Sequence, residues 1–509
     1  MKKSFLVMLL VLTVMIYSGC GENSSTTDED TVVDNEIADE WTDESPDESA
    51  VTCADEWEKA EIIEDPEDFY GFKITNVKRT WKWKTENDFD TVSIMTSGSY
   101  KPSFMHITEE GNIILIGGLN GETCAECFNE FMHIYKPDGT VTAYGITGLN
   151  DAGVDFAAID ETTGEIVILF NPGPTDQVGD TYINQNSAFI ASFKDSSFKF
   201  KAWQIDTENM DMCDNFFVND GDFHLLCMSY YSEDGTLYDR IKTRIISGVD
   251  GDVYYKTSSK DSGPIGGDLF QKSLYVSIAD MGNAPNNYLQ KYSTDTLCME
   301  EQIDNVWSDK PIGLKDFKYT EDSLYGFTRI LGDDVNIDDL DSFYGYTSAI
   351  YIEDADTGKH LISTGILSKL DEKGHRTEIN NYEQMLESDG SFYMATSAMG
   401  DYDEDGSPTD EELATMWQTG YELSYNAYIT AVDKDWNAYV KPINNGLDNS
   451  MVFQIAEYED YLYVAGSYPL VFDPESNDRN FFFSRIKKDS VIKEENKASE
   501  KSIRIEKFE

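Results

Sequence analysis

The sequence predicts an all-β chain, and three observations predict it. Tyr (30) and Phe (27) supply most of a 13% aromatic content, and these side chains suit the pleated, half-buried surface of a strand. A second observation is that one pattern, a Gly- or acid-containing turn followed by an apolar run, occurs seven times. It reads Glu110-Gly-Asn-Ile-Ile-Leu-Ile116, Thr163-Gly-Glu-Ile-Val-Ile-Leu169, Asp220-Gly-Asp-Phe-His-Leu-Leu226, Gln271-Lys-Ser-Leu-Tyr-Val-Ser277, Glu321-Asp-Ser-Leu-Tyr-Gly-Phe327, Asp389-Gly-Ser-Phe-Tyr-Met-Ala395 and Glu459-Asp-Tyr-Leu-Tyr-Val-Ala465. The fifth residues, from Ile114 to Tyr463, are spaced by 53, 57, 51, 50, 68 and 70. Third, each unit holds a short apolar strand before the turn and a second hairpin after a variable loop, as in Phe131–Tyr135, Lys136-Pro-Asp-Gly139 and Thr140–Ile146. Four antiparallel strands per unit, seven times over, predict a β-propeller of seven four-stranded blades. No single unit can bury both its faces alone, so the units must pack in a ring.

The chain divides into three parts. Residues 1–19 read as an export signal: Lys2 and Lys3 precede the apolar run Phe5–Tyr17, which is shorter than a spanning helix needs. Tyr17-Ser18-Gly19-Cys20 resembles a bacterial lipobox, which implies a lipoprotein cleaved and acylated (palmitate included) at Cys20. The same resemblance, with Gly21 rather than Asp after the cysteine, implies the outer membrane or cell surface. Residues 20–66 read as a tether. Glu22–Glu48 holds twelve carboxylates and no Lys or Arg, so it cannot bury enough apolar surface to offset the entropy of ordering and should be disordered. Acidic tracts of this kind also resemble surface-export signals. Residues 67–509 are assigned to the propeller. Phe72–Met95 and Ser502–Phe508 lie outside the repeats and are expected to close the ring as shared strands or to form an eighth blade.

Charge excludes some functions. With 39 basic and 96 acidic residues the net charge is −57, which repels phosphate backbones and acidic headgroups, so no nucleic-acid partner is expected. The lipid anchor is the expected membrane contact. Long loops join the second and third strands of most units, and such loops carry binding residues because packing constrains them least. They hold Tyr182, Tyr230, Tyr231, Tyr344, Tyr346, Trp417 and Tyr421 among Asp and Asn, a mixture suited to a protein or glycan partner.

Asp401-Tyr-Asp403-Glu-Asp405-Gly-Ser407-Pro-Thr409-Asp-Glu-Glu412 carries oxygen donors with the spacing of a calcium loop. Asp401, Asp403 and Asp405 converge on the ion, Gly406 permits the turn, Ser407 and Thr409 add positions seven and nine, and Glu412 closes the site. A strand rather than a helix precedes it, so it resembles the calcium loops of extracellular proteins. Asp333–Asp341 is acidic but lacks that spacing.

Seven cysteines in an oxidising route leave six beyond Cys20. Cys213 and Cys227 flank Asp220 symmetrically and should meet across a hairpin. Cys124 and Cys127 fit a local disulfide; a redox pair or half a zinc site has the same spacing. The pairing of Cys53 and Cys298 stays open. His224 occupies a repeat position otherwise filled by Ile, Val or Tyr and reads as a core residue. No nucleophile-elbow, phosphate-loop or dinucleotide motif occurs, and no catalytic residue is assigned. The Lys/Asp turn with a following aromatic, as in Lys194-Asp-Ser-Ser197 before Phe198, resembles the seven-bladed propeller repeats of secreted bacterial proteins, and Asp356-Thr-Gly358 and Glu161-Thr-Thr-Gly164 resemble quinoprotein-type repeats. The expected function is envelope or cell-surface recognition with Ca2+. The alternatives are a propeller hydrolase or lyase with carboxylates in the central pocket, and a scaffold resembling the lipid-anchored propeller subunit of outer-membrane barrel assembly.

Overall fold

The structure is a computed structural model that describes residues 53, 56–94, 99–120, 128–148, 153–171, 177–178, 181–182, 187–205, 210–231, 240–280, 287–304, 314–320, 323–331, 346–354, 358–363, 378–401, 423–443, 445, 447, 450–469, 479–498 and 504–508. The signal, most of the tether and Cys20 lie outside these residues.

The chain folds as a β-propeller. Its repeating path is seen first over residues 99–147, where strands Ser99–Ile107, Ile113–Asn120, Asn129–Tyr135 and Thr140–Thr147 pair antiparallel in chain order. The same path recurs over 153–204, 210–257, 262–304, 314–363 and 378–442. The 451–487 sheet brings only Met451–Tyr458, Tyr461–Pro469 and Arg479–Lys487, and takes its fourth strand, Phe89–Ile94, from the other end of the chain. The first strands of neighbouring sheets pack on one another around most of the ring, Tyr346–Asp354 makes the contact with Glu378–Ser388 between the 314–363 and 378–442 sheets, and Met451–Tyr458 returns onto Ser99–Ile107. The sheets therefore close a ring with their first strands innermost.

Each repeat segment opens the second strand of a sheet, and its unbroken apolar run has a physical cause. Successive side chains on a strand point to opposite faces, and here both faces are covered. On Ile113–Asn120, Ile114 and Ile116 enter the core shared with the 153–204 sheet, while Ile113 and Leu115 enter the core shared with the 451–487 sheet. Val167 and Leu169 likewise face away from Ile166, Ile168 and Phe170. The Asp-Gly turns are the tight hairpins expected: Asp220 and Gly221 take φ of 53° and 83°, and Asp389 and Gly390 take 52° and 73°. Two successive left-handed residues match the twist of the strands they join.

The expectation of seven uniform four-stranded units is corrected. Among the described residues five sheets have five strands, two have four, and Gln177–Val178 with Thr181–Tyr182 forms a separate ribbon. The extra strands come from the chain ends. Glu58–Lys59 pairs with Asp252–Thr257, Glu61–Ile63 with Ser197–Gln204, and Lys73–Thr80 with Thr140–Thr147. Lys84–Glu86 lies outside Phe89–Ile94, and Arg504–Phe508 pairs with Gly358–Ser363. A fourth strand left at an edge exposes unpaired backbone groups, and an added strand satisfies them. Residues 56–66, which the sequence assigns to the tether, already belong to this rim; they lead into a short helix, Pro66–Tyr70, capped by the Asp65 side chain.

The rim segment runs backwards. A disulfide between Cys53 and Cys298 starts it on the 262–304 sheet, where Trp57 also donates to the Leu297 carbonyl at 3.1 Å. It then visits the 210–257, 153–204, 99–147 and 451–487 sheets in turn. Where it crosses between the last two, Trp81 packs on Trp83, Tyr135 and Phe483 with ring centroids 5.2, 5.6 and 5.9 Å away. Its indole donates to the carbonyls of Lys136 and Thr140.

Candidate binding face

Strands that alternate in direction sort the connections by end. Turns between first and second, and between third and fourth, strands are at one end of the ring. Connections between second and third strands, and crossovers to the next sheet, leave from the other. The long connections of the sequence therefore all leave from one end.

Among the described residues, a polar group at that end sits where strand Asp222–Tyr231 finishes and strand Arg240–Val249 starts. Tyr231 and Arg240 are paired residues there. The Tyr231 hydroxyl donates to Asp261 Oδ1 at 2.5 Å, and Arg240 Nη1 lies 2.9 Å from Asp261 Oδ2. The hydroxyl bond first, and the Arg240 charge with it, hold the Asp261 carboxyl below its ordinary range. Lys242 Nζ stands 4.4 Å from the centre of the Tyr231 ring, a cation–π distance. The crossover carrying Asp261 is fixed by hydroxyl contacts: Ser262 Oγ lies 3.1 Å from Thr243 Oγ1 and 2.9 Å from Ser258 Oγ.

Beneath this group Arg244 is buried. It pairs with Asp211, donates to Thr257 Oγ1 at 2.9 Å and lies 5.5 Å from the Tyr255 ring centre. Burial raises the Asp211 carboxyl above its ordinary range although Arg244 opposes the shift. The Cys213–Cys227 disulfide joins paired residues of the same hairpin. Breaking a buried pair on one side leaves an uncompensated charge, so this cluster fixes the ends from which Tyr231 and Arg240 project.

Inner strands contribute a different feature. Every one of them slips register against its second strand, between Pro102 and Phe104, Val154 and Phe156, Cys213 and Asn215, Pro264 and Gly266, Lys315 and Lys318, Tyr382 and Gln384, and Val452 and Gln454. Bulges redirect backbone and side chain, and they are frequent beside active sites. Asp155, Asp214, Asp316 and Glu383 occupy these irregular positions on four of the strands surrounding the axis.

The other sequence candidates fall as follows. Tyr230 pairs with Ile241 on the same strands, so Tyr230 and Tyr231 are strand residues rather than loop residues. Tyr182 ends the small ribbon opposite Gln177, Tyr346 begins a strand opposite Leu331, and Asp401 ends one opposite Leu423. Asp403, Asp405, Ser407, Thr409, Glu412, Cys124, Cys127, Tyr344, Trp417 and Tyr421 lie outside the described residues, as does the Asp333–Asp341 cluster. Among the described residues no group of three or more His, Cys, Asp or Glu is disposed to hold a metal. His224 is buried, and its Nδ1 lies 2.9 Å from Ser247 Oγ. Burial pulls its pKa down to about 4, which keeps it neutral. The sequence reading missed Arg240, Lys242 and Asp261. A signal was present: residues 240–260 hold five Lys or Arg and two Asp in a chain with 39 basic and 96 acidic residues.

No family model matches the chain, and no curated protein matches it. Solved structures do. The polysaccharide lyase Uly1 is 10% identical, with a TM-score of 0.40 over 84% of this chain and 97% of its own. The β-propeller domain of the Trilobed protease from Pyrococcus furiosus is 12% identical, with a TM-score of 0.38 over 72% and 91%. Drosophila Plexin A, solved with Semaphorin 1b, is 7% identical, with a TM-score of 0.35 over 80% and 88%.

Proposed function

We propose that this protein is a recognition propeller held to a bacterial outer membrane or cell surface through lipidated Cys20. In this reading each four- or five-stranded sheet is one blade. The acidic tether spaces the ring from the membrane, and the end from which the long connections leave meets a protein or glycan ligand. Calcium held by Asp401, Asp403, Asp405, Ser407, Thr409 and Glu412 orders the longest of those connections. The observation that supports it best is the gathering of Tyr231, Arg240 and Lys242 at that end. The test is an array of glycans and extracellular proteins probed with the mature chain and with Tyr231→Ala. Binding that Tyr231→Ala reduces at least about tenfold, the effect of truncating an interface anchor, supports the reading. A wild-type chain that binds nothing, or a variant that binds equally, overturns it. The calcium proposal predicts a rise in melting temperature on adding calcium that Asp403→Ala removes.

A second reading has a specific observation in its favour. Asp155, Asp214, Asp316 and Glu383 occupy bulged positions on inner strands, as the carboxylates of a glycan hydrolase or lyase in a central pocket would. Cleavage of a polysaccharide panel, lost on replacing any of these with its amide, is the expected result of that reading.

A further inference from the structure

We infer that the ligand of the long-loop end is an anionic saccharide, bound where its carboxylate or sulfate meets Lys242 and Lys260 beside Tyr231; this rests on the recognition reading above. A chain of net charge −57 repels anions over most of its surface, so a site for one must be a local inversion of sign. Residues 240–260 are such an inversion, and the fold sharpens it. Their two aspartates, Asp250 and Asp252, sit at the hairpin turn at the far end of the sheet. Arg240, Lys242, Arg244, Lys256 and Lys260 all fall toward the long-loop end.

Three of these five are neutralised within the protein. Arg244 pairs with buried Asp211, Arg240 with Asp261 at 2.9 Å, and Lys256 with Glu56 at 3.1 Å. Lys242 stands over the Tyr231 ring, where its charge also acts on Asp261, but it joins no ion pair among the described residues, and Lys260 is exposed on the crossover. Asp261 accepts from Tyr231 and Arg240 together, so it is committed and sets the position of both groups. The result is an aromatic ring fixed at its hydroxyl, with Lys242 over it and exposed Lys260 adjacent in the chain to the aspartate that holds it. A sugar carrying an acid group matches it: the charged group takes the ammonium and the apolar ring face packs on aromatic carbon.

The test measures binding of the mature chain to a sialylated oligosaccharide, an oligogalacturonate and a sulfated oligosaccharide, with the uncharged counterparts and polyglutamate as controls. Lys242→Glu, Lys260→Glu and the opposite-end control Lys434→Glu are compared after their melting temperatures are checked. The expected result is binding to at least one acidic oligosaccharide. It weakens with added salt, as exposed charge contacts do, and falls at least about tenfold in Lys260→Glu and in Lys242→Glu, since a like charge replaces an attractive one. Lys434→Glu should bind as wild type. Lys260 is exposed, so its variant remains informative if Lys242→Glu fails to fold. Binding only to uncharged glycans, or an equal effect of Lys434→Glu, overturns the inference and leaves the recognition reading standing. Binding to polyglutamate and to no glycan overturns it in favour of an acidic protein partner. A chain that binds neither these probes nor any array partner overturns both.

Discussion

The rim segment is held at its start by the Cys53–Cys298 disulfide, and replacing both cysteines with serine tests how far the ring depends on it. The bridge spans a sequence separation of 245, against 14 for Cys213–Cys227. If a bridge acts by limiting the unfolded chain, its contribution grows with the logarithm of the loop, which gives about 5.5 kcal/mol for the long bridge and about 3 kcal/mol for the short one. A folded ring of roughly 450 residues has an unfolding entropy of about 0.9 kcal/mol per degree. The expected falls in melting temperature are therefore about 6 °C and about 3 °C. Both variants would be melted by circular dichroism without reductant, with limited proteolysis alongside. The long-bridge variant should melt lower and be cut first within residues 53–66. If its melting temperature stays within about 1 °C of wild type, where a bridge should shift it several degrees, the rim is not part of the cooperative unit. If the short-bridge variant loses more, the loop-length argument is refuted.

Three further outcomes follow from single side chains. Burial pushes the Asp222 carboxyl up to about 7, with Asp250 and Asp220 adding to the shift while the Asp250 N–H and Lys201 oppose it. Its folded pKa exceeds its unfolded one, so the stability it confers is complete below about pH 4 and is lost as pH rises to about 7. Asp222 is part-exposed, so roughly half of the full value, about 2 kcal/mol, is expected; urea titration of Asp222→Asn at pH 8 should show that gain, and no gain would contradict the account. His224 runs the other way: pulled down to about 4, it must be neutral to fold, and stability is lost as pH falls from about 6.5 to 4. His224→Gln should flatten that acid limb, worth up to about 3 kcal/mol, and an unchanged limb would place the proton elsewhere. Trp81→Ala should cost about 2–3 kcal/mol in urea unfolding, less than a fully buried Trp because Trp81 is half-buried; a loss under about 0.5 kcal/mol, the range of ordinary surface changes, would mean the crossing at Trp81 does not fasten the rim.

Much of this architecture was legible because its causes are local. Ile113–Ile116 reads as an apolar run since both faces of its strand are covered, and Asp220-Gly221 reads as a hairpin since two left-handed residues are needed there. The rim strands were not legible. Lys73–Thr80 is mostly polar and half-exposed, its strand character comes from pairing with Thr140–Thr147, and no second copy of it exists to reveal a repeat. The same holds for the Cys53–Cys298 pairing, which depends on a route around the ring that local sequence does not encode. At the candidate site, the tyrosines stood out by residue type, but Tyr231 gains its setting from Asp261, thirty residues on, and that required the crossover to pass over the end of the sheet.

Two distant stretches of the chain, 84–94 and 479–487, join in one sheet, and the pairing of Thr91 with Ser484 is where that joining can be trapped. Their hydroxyl oxygens lie 2.8 Å apart on neighbouring strands in the interior. In a Thr91→Cys, Ser484→Cys variant, oxidation followed by peptide mass spectrometry should yield a cross-link between residues 84–94 and 479–487 at native melting temperature or above. A folded variant in which these two positions stay unlinked, or link elsewhere, would contradict a ring closed by its own termini.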